Sequence, residues 1–167
     1  MLRIKEMRKL LVLLTLIIAA GCSNAQNIQT IAPYRILTTD SVIRTPKDLK
    51  KNKPVMLIYF SPDCSHCQHM MYEMKPVMKE LRNIQVVMVT FSNNYDLRGI
   101  REFYRDFGLA NYPNFLVGTE GYSYVVQRYY SVRTTPYIAI YNHQGKLVKA
   151  FDKAPKMEEL IEAVKKS

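Results

Sequence analysis

The chain carries Cys64-Ser65-His66-Cys67 at the point where the apolar run Val55 to Phe60 gives way to a segment with helical spacing. A cysteine at a helix N-terminus lies beside unpaired backbone N–H groups and the positive end of the helix dipole, so its thiolate forms more readily than that of a free cysteine. Two cysteines separated by two residues make a dithiol that can be oxidised to a disulfide and reduced again. The pattern therefore predicts thiol–disulfide exchange.

The same pattern also occurs as half of a zinc site or as a buried structural pair. Zinc normally takes four ligands in a structural site, and the sequence has no second C-x-x-C pair and no H-x-x-x-H pair. Redox use of the dithiol is therefore favoured over both alternatives.

The N-terminal segment has the pattern of an export signal. Basic residues come first, and an apolar run from Leu10 to Ala20 follows, with Thr15 as its only polar member. A transmembrane helix needs about 20 apolar residues, so this shorter run favours a cleaved signal over a permanent span.

The end of the signal decides between two mature proteins. Ala19-Ala20-Gly21-Cys22 resembles a bacterial lipobox, in which Cys22 is lipidated and becomes the mature N-terminus. A competing cut after Ala25 would instead release a soluble periplasmic protein. We expect the lipoprotein, with a signal at residues 1–21, a tether at 22–33 and one domain at 34–167, and we expect it in the bacterial cell envelope, facing the periplasm or the exterior.

Composition and charge set further bounds. The 167 residues are 48% hydrophobic and 23% charged, which suits one globular domain. Without residues 1–21, the remaining 20 basic and 13 acidic residues give a net charge of +7. One basic cluster spans residues 47–53; it is interpreted as a solvated surface, with contact to anionic lipid or an acidic partner as the alternative. No nucleic-acid-binding motif is present, so nucleic acid is not an expected partner.

Hydrophobic periodicity predicts alternating strands and helices. The run Val55 to Phe60 is apolar on both faces, as in a buried strand of a parallel sheet. Strands are predicted at 34–38, 55–60, 84–91, 112–117, 135–141 and 146–151, and helices near 46–49 and at 64–82, 96–107, 122–130 and 157–166. This order predicts an α/β sandwich with a central mixed sheet flanked by helices.

A methionine stripe marks the helix that follows the dithiol. Met70, Met74 and Met78 recur every four residues, which is typical of a core-facing side of an amphipathic helix. Copper binding with His66 and His69 is the alternative, and core packing is favoured. Pro76 lies within the same helix and is expected to kink it.

With these features the chain resembles thioredoxin-fold proteins, and more narrowly the exported, membrane-tethered TlpA/ResA-type thiol–disulfide oxidoreductases. The resemblance covers residues 34–167 and depends on the strand and motif at 59–67, on Thr135-Pro136 and on the hairpin at 142–146. A helical insert at 93–132, before the proline strand, also fits that branch. The resemblance implies that Pro136 is a cis-proline facing the dithiol and that Thr135 presents its backbone to a substrate peptide; a trans proline at an edge strand is the alternative.

The chain departs from thioredoxin beside the motif. Asp63 stands where many thioredoxins carry tryptophan, and its carboxylate is expected to raise the pKa of Cys64. His66 is expected to lower the pKa of Cys64, as in disulfide-forming oxidants, in which a stabilised thiolate favours the reduced form. The alternative is that His66 is an exposed residue with little influence on Cys64. With Ser65, these residues are the expected redox-tuning set. Ile58 replaces the buried acid of thioredoxin, so no side-chain base for Cys67 is evident.

The predicted function is exchange of disulfides with partner proteins of the cell envelope by a monomer that needs no cofactor or metal beyond the Cys64–Cys67 pair, with a lipid anchor at Cys22. One rival is a peroxiredoxin-like peroxidase, whose active site has proline seven residues before the cysteine and Thr or Ser three residues before it. Ser61 fits this pattern, but Leu57 stands at the position of the proline. The other is a tethered copper chaperone that uses Cys64, Cys67 and His69 or Met70.

Overall fold

A seven-stranded mixed sheet forms the centre of the domain. The structure, a computed structural model, describes residues 28–92 and 96–167. The strands run in the order β2-β1-β5-β4-β3-β6-β7, and β3, β4 and β5 are parallel to one another. The strands are β1 (Ile36–Thr38), β2 (Ile43–Arg44), β3 (Val55–Tyr59), β4 (Gln85–Thr90), β5 (Phe115–Thr119), β6 (Tyr137–Tyr141) and β7 (Leu147–Phe151).

Helices cover the sheet and complete the predicted fold class. They are α1 (Ser65–Met74), α2 (Arg98–Asp106), α3 (Val125–Tyr129) and α4 (Met157–Lys165). Short 3-10 turns, such as Pro46–Asp48 between β2 and β3, lie in the connections. The region predicted as a helical insert contains α2 and α3, but it also supplies β5. The thioredoxin-like architecture, a mixed sheet flanked by helices, is therefore confirmed, with the insert contributing to the sheet itself.

The core has two parts, one on each face of β3. Met56, Ile58 and Phe60 pack on one face with α1, while Leu57 and Tyr59 pack on the other. Every residue of β3 is buried, because β4 and β6 flank it in the sheet and helices cover it. Met70, Met74 and Met78 are fully buried in the first part, so the prediction that the methionine stripe is a core face is confirmed.

The prediction of one kinked helix from 64 to 82 is wrong. Helix α1 ends at Met74, and 3-10 turns at Lys75–Val77 and Glu80–Asn83 follow it. Pro76 explains the break, because proline cannot donate a backbone hydrogen bond and its ring clashes with the carbonyl four residues earlier. The methionine spacing continues through the break, which concealed it in the sequence.

The prediction for β5 is displaced. The strand covers Phe115–Thr119 rather than 112–117, so Gly118 lies inside it. A Cβ on Gly118 would lie 2.8 Å from the backbone oxygen of Leu37 and 3.1 Å from the side chain of Ile36. Glycine is therefore required by the close approach of β1 and β5, and does not mark the end of the strand.

The N-terminal predictions lie largely outside the described residues. These include the signal at 1–21, the lipidation site Cys22 and most of the tether. The end of the tether is described, and it packs on the domain: Ala32 is fully buried, and the Leu147 N–H donates to the Gln29 carbonyl at 3.1 Å. Within residues 28–92 and 96–167, no helix is long and apolar enough to cross a membrane.

Candidate active site

The dithiol lies at the carboxyl end of β3, at the start of α1. The buried strand ends at Tyr59, and a turn closed by the Cys64 N–H donating to the Ser61 carbonyl at 3.1 Å brings the chain to the helix. Cys64 is the N-cap residue of α1 and Cys67 lies within its first turn. The motif therefore occupies the helix N-terminus that the sequence predicts for it.

The two sulfurs differ in exposure and in surroundings. Both thiols are free; Cys64 is half-buried, whereas Cys67 is fully buried in the core. The Sγ of Cys64 lies 3.4 Å from the backbone oxygen of Thr135, to which the thiol donates. The Thr135–Pro136 peptide bond is cis, as the resemblance implies. The cis-proline segment therefore faces the outer of the two sulfurs.

The environment of Cys64 favours its thiolate. Burial alone would raise the pKa of this thiol, but hydrogen bonds from the Thr135 side chain, the Cys67 thiol and the backbone N–H groups of Cys67 and His66 outweigh it. The net effect is a pKa below the ordinary value of 9.0. The helix N-terminus supplies these backbone donors, because its first N–H groups have no partner within the helix.

The environment of Cys67 favours the neutral thiol. Burial raises its pKa to about 12, and the hydrogen bond with the Cys64 side chain adds to this rise. A thiol in an apolar core loses the solvation that a thiolate needs. Cys67 is therefore protonated at neutral pH in the reduced protein, while Cys64 is the readier nucleophile.

The three predicted tuning residues all lie at the surface around the dithiol. Asp63, Ser65 and His66 are exposed. His66 acts on Cys64 through its backbone N–H, and this contribution would persist with another side chain. Ile58, at the position of the thioredoxin acid, is fully buried in β3.

The residues that the two rival hypotheses add to the dithiol lie partly in the core and partly at the surface. Met70 is fully buried in the core, and the side chain of His69 is 73% exposed and lies 3.4 Å from Glu73. Leu57 is fully buried in β3, on the other face of the sheet from Cys67. In the part of the chain that the structure describes, no three His, Cys, Asp or Glu residues form a group suited to a metal ion.

Glu120 is a residue that the sequence analysis missed. It directly follows β5 and is fully buried. Its Oε2 accepts hydrogen bonds from the Val126 N–H at 2.9 Å and from the Ser123 hydroxyl at 3.3 Å. Burial, and then the charge of Glu120, raise the pKa of Tyr59 near the end of β3. Glu120 therefore fixes the start of the segment that leads to Thr135, and no spacing in the sequence marks it.

The Thr135 side chain offers a test of the thiolate environment. Replacing Thr135 by valine removes its hydroxyl and keeps the carbonyl that faces Cys64, so the pKa of Cys64 should rise. The rate of Cys64 alkylation by iodoacetamide at pH 7 should fall by about 3-fold to 10-fold, since the thiolate fraction falls tenfold for each unit of pKa.

Two variants serve as controls for this measurement. Thr135→Ser keeps a hydroxyl at the site and should alkylate like the wild type. Thr134→Val removes a neighbouring hydroxyl that donates to the Asp152 carbonyl at 3.3 Å, and it should also leave the rate unchanged. Equal rates in Thr135→Val and the wild type would show that the hydroxyl has no part in stabilising the thiolate.

Solved structures share this fold at low sequence identity. A secreted Mycobacterium tuberculosis disulfide oxidoreductase, described as homologous to E. coli DsbE, matches with a TM-score of 0.67 at 18% identity, covering 81% of this chain and 96% of that one. The exposed lipoprotein thioredoxin Etrx1 of Streptococcus pneumoniae matches with a TM-score of 0.62 at 22% identity, covering 80% and 98%. StoA of Bacillus subtilis matches with a TM-score of 0.55 at 18% identity, covering 78% and 94%.

Comparison at the level of families gives the assignment. No curated protein sequence matches the chain significantly. A family model described as a thioredoxin-like domain does match, over residues 47–166. This match spans most of the chain and includes both cysteines and the cis-proline. The chain therefore belongs to the thioredoxin-like domain family.

Proposed function

We propose that this protein is an exported thiol–disulfide oxidoreductase that exchanges disulfides with partner proteins through Cys64 and Cys67. The observation that carries the proposal is the inequality of the two sulfurs. Cys64 is half-buried with a lowered pKa, and Cys67 is fully buried with a pKa raised to about 12. Such a pair suits an attacking thiol and a resolving thiol.

The exchange proceeds in two displacements. The Cys64 thiolate attacks one sulfur of a partner disulfide, forming a mixed disulfide and releasing the other partner sulfur as a thiolate. Cys67 then gives its proton to the thiolate that the partner has released and attacks the Cys64 sulfur, which forms the Cys64–Cys67 disulfide and releases the second partner sulfur as a thiolate. The partner disulfide is reduced by two electrons and the dithiol is oxidised. The reverse sequence oxidises a partner dithiol.

The cis-proline segment is the proposed substrate dock. The Thr135 carbonyl lies 3.4 Å from the Cys64 sulfur, so a peptide bound along this backbone would place its own sulfur beside Cys64. Pairing of an extended peptide with exposed backbone gives affinity that depends little on peptide sequence. Asp63, Ser65 and His66 surround the reactive sulfur at the surface, and we propose that they tune its redox poise and contact the bound partner.

The proposed location is the bacterial cell envelope, with a lipid anchor at Cys22. The N-terminal signal pattern and the lipobox-like residues 19–22 support it. The described chain enters the domain at Ile28 and Gln29, and Gln29 bonds to Leu147 at the start of β7. Leu147 pairs with Tyr141, which pairs with Val55 at the start of β3. The entry point therefore lies at the end of the sheet opposite the dithiol. In an anchored domain, Cys64 would point away from the membrane, toward partner proteins.

The test of this proposal is capture of mixed disulfides. Cys67→Ser lacks the resolving thiol and should accumulate covalent complexes with partner proteins in cells, whereas Cys64→Ser should accumulate none. The complexes are measured on non-reducing gels and should disappear after dithiothreitol treatment.

The two variants control for each other, because each retains one thiol of the pair. Equal capture by both would contradict the roles assigned to the sulfurs. Capture by neither, in cells that contain the folded variants, would contradict exchange with partner proteins.

A further inference from the structure

A pocket lies at the end of the sheet opposite the dithiol. It encloses about 240 Å³ where β4 and β5 begin, and Gln85, Val86 and Asn114 contribute to its wall. This volume is below that of most sites for drug-sized ligands, and it suits a small group. The pocket shares no lining residue with the dithiol site.

The pocket is strongly cationic. Arg44, Lys50, Lys53 and Arg82 line it, against one carboxylate, that of Asp48. Arg44 lies 3.8 Å from Asp48. Among the residues that the structure describes, the other three cations have no carboxylate within ion-pair distance. Four positive groups around one small cavity leave a net positive field there, which favours an anion.

A buried hydroxyl in the wall has no hydrogen-bond partner among the described residues. Tyr34 lines the pocket and is 1% exposed, and its hydroxyl makes no hydrogen bond with the described residues. Buried polar groups in folded proteins are nearly always hydrogen-bonded, so an unpartnered one calls for an explanation. Burial, and then the charge of Asp48, raise the pKa of Tyr34, so this hydroxyl is neutral and can donate a hydrogen bond.

We propose that this pocket binds a phosphate group. Phosphate oxygens accept hydrogen bonds from a neutral hydroxyl, and guanidinium groups match phosphate geometry with two parallel donors. Arg82 and Lys53 supply positive charge that no carboxylate of the described chain neutralises. The Tyr34 hydroxyl would donate a hydrogen bond to a phosphate oxygen, which would give this hydroxyl a partner. The basic cluster at residues 47–53 thereby becomes one side of a site rather than a solvated surface.

The phosphate has two sources, a free anion or the headgroup of an anionic phospholipid. The pocket lies at the same end of the sheet as Gln29, where the described chain enters the domain. In a chain anchored near residue 22, this end would be the one nearest the membrane. Only this orientation rests on the proposed location; the pocket and its chemistry do not.

The test uses the full chain in micelles of a neutral detergent and inorganic phosphate as the probe. Calorimetric titration at constant ionic strength should show saturable binding of one phosphate per chain. The double variant Lys53→Gln with Arg82→Gln should weaken binding at least 10-fold, and Tyr34→Phe should weaken it several-fold with an unchanged or higher melting temperature.

A matched variant controls for net charge. Lys153→Gln with Lys156→Gln removes the same charge from two exposed lysines outside the pocket, and it should bind phosphate like the wild type. Equal weakening in both double variants would overturn the proposal, because binding would then depend on diffuse charge alone.

A lipid arm distinguishes the two sources. The full chain is placed in phosphatidylcholine nanodiscs with or without phosphatidylglycerol, and amide hydrogen exchange is followed at residues 50–53 and 82–86. Protection by phosphatidylglycerol that is lost in Lys53→Gln with Arg82→Gln supports a headgroup as the ligand, and binding of inorganic phosphate alone supports the free anion. If the chain shows neither saturable phosphate binding nor lipid-dependent protection, the proposal is overturned. Capture of mixed disulfides by Cys67→Ser would remain unaffected by that result.

Discussion

Replacing Cys64 by serine should abolish disulfide exchange. In an assay in which the protein catalyses the reduction of insulin by dithiothreitol, the rate should fall by about 10³-fold or more. The hydroxyl of serine does not form an anion at neutral pH, whereas hydrogen bonds hold the pKa of the Cys64 thiol below its ordinary value. Cys67 cannot take over, because it is fully buried and its pKa is raised to about 12. The measurement is the increase in turbidity as the reduced insulin chains precipitate.

The matched control is Cys22→Ser, which removes the cysteine that lies outside the C-x-x-C motif and keeps the dithiol. In neutral detergent this variant should turn over insulin at the wild-type rate. Residual activity of Cys64→Ser within tenfold of the wild type would contradict its role as the nucleophile, because the core thiol would then suffice.

Replacing Gly118 by alanine should destabilise the fold by about 1–3 kcal/mol, as overpacking of a closely packed site does. The added Cβ would lie 2.8 Å from the backbone oxygen of Leu37, and backbone cannot rotate away as a side chain can. Because Gly118 pairs with Val89 in β4 and with Thr38 in β1, the strand has no free edge along which to shift. Urea unfolding should show a lower midpoint with an unchanged slope.

Gly99→Ala is the control for this substitution. A Cβ on Gly99 would meet only Pro62, at an ordinary 3.9 Å, and alanine is favoured over glycine in a helix by about 0.5–1 kcal/mol. Gly99→Ala should therefore be neutral or slightly stabilising. Similar free energies of unfolding in the two variants would show that β1 and β5 are less closely packed than the distances indicate.

Local pattern was sufficient to predict most of the site. The apolar run that forms β3, the C-x-x-C motif at the start of α1 and the proline before β6 each lie within a short stretch of sequence. The spacing of the methionines also predicted correctly that their side chains face the core, because residues one helical turn apart lie on the same face of a helix. These features need no knowledge of distant contacts.

Features that depend on distant segments were not predicted. Gly118 is required by the backbone of β1, about 80 residues earlier in the chain. The burial of Glu120, and the hydroxyl of Tyr34 that has no partner in the described part of the chain, become visible only when the sheet brings their surroundings together. Composition gives no signal for such pairings.

The unequal ionisation of the two sulfurs is the central claim, and carbon-13 NMR of the reduced protein with labelled cysteine tests it most directly. The Cβ resonance of each residue is followed against pH and assigned with Cys64→Ser and Cys67→Ser. We expect Cys64 to titrate with a midpoint below that of an unperturbed cysteine, while Cys67, with its pKa of about 12, shows no transition up to about pH 10. Midpoints that coincide, or a lower midpoint for Cys67, would contradict it.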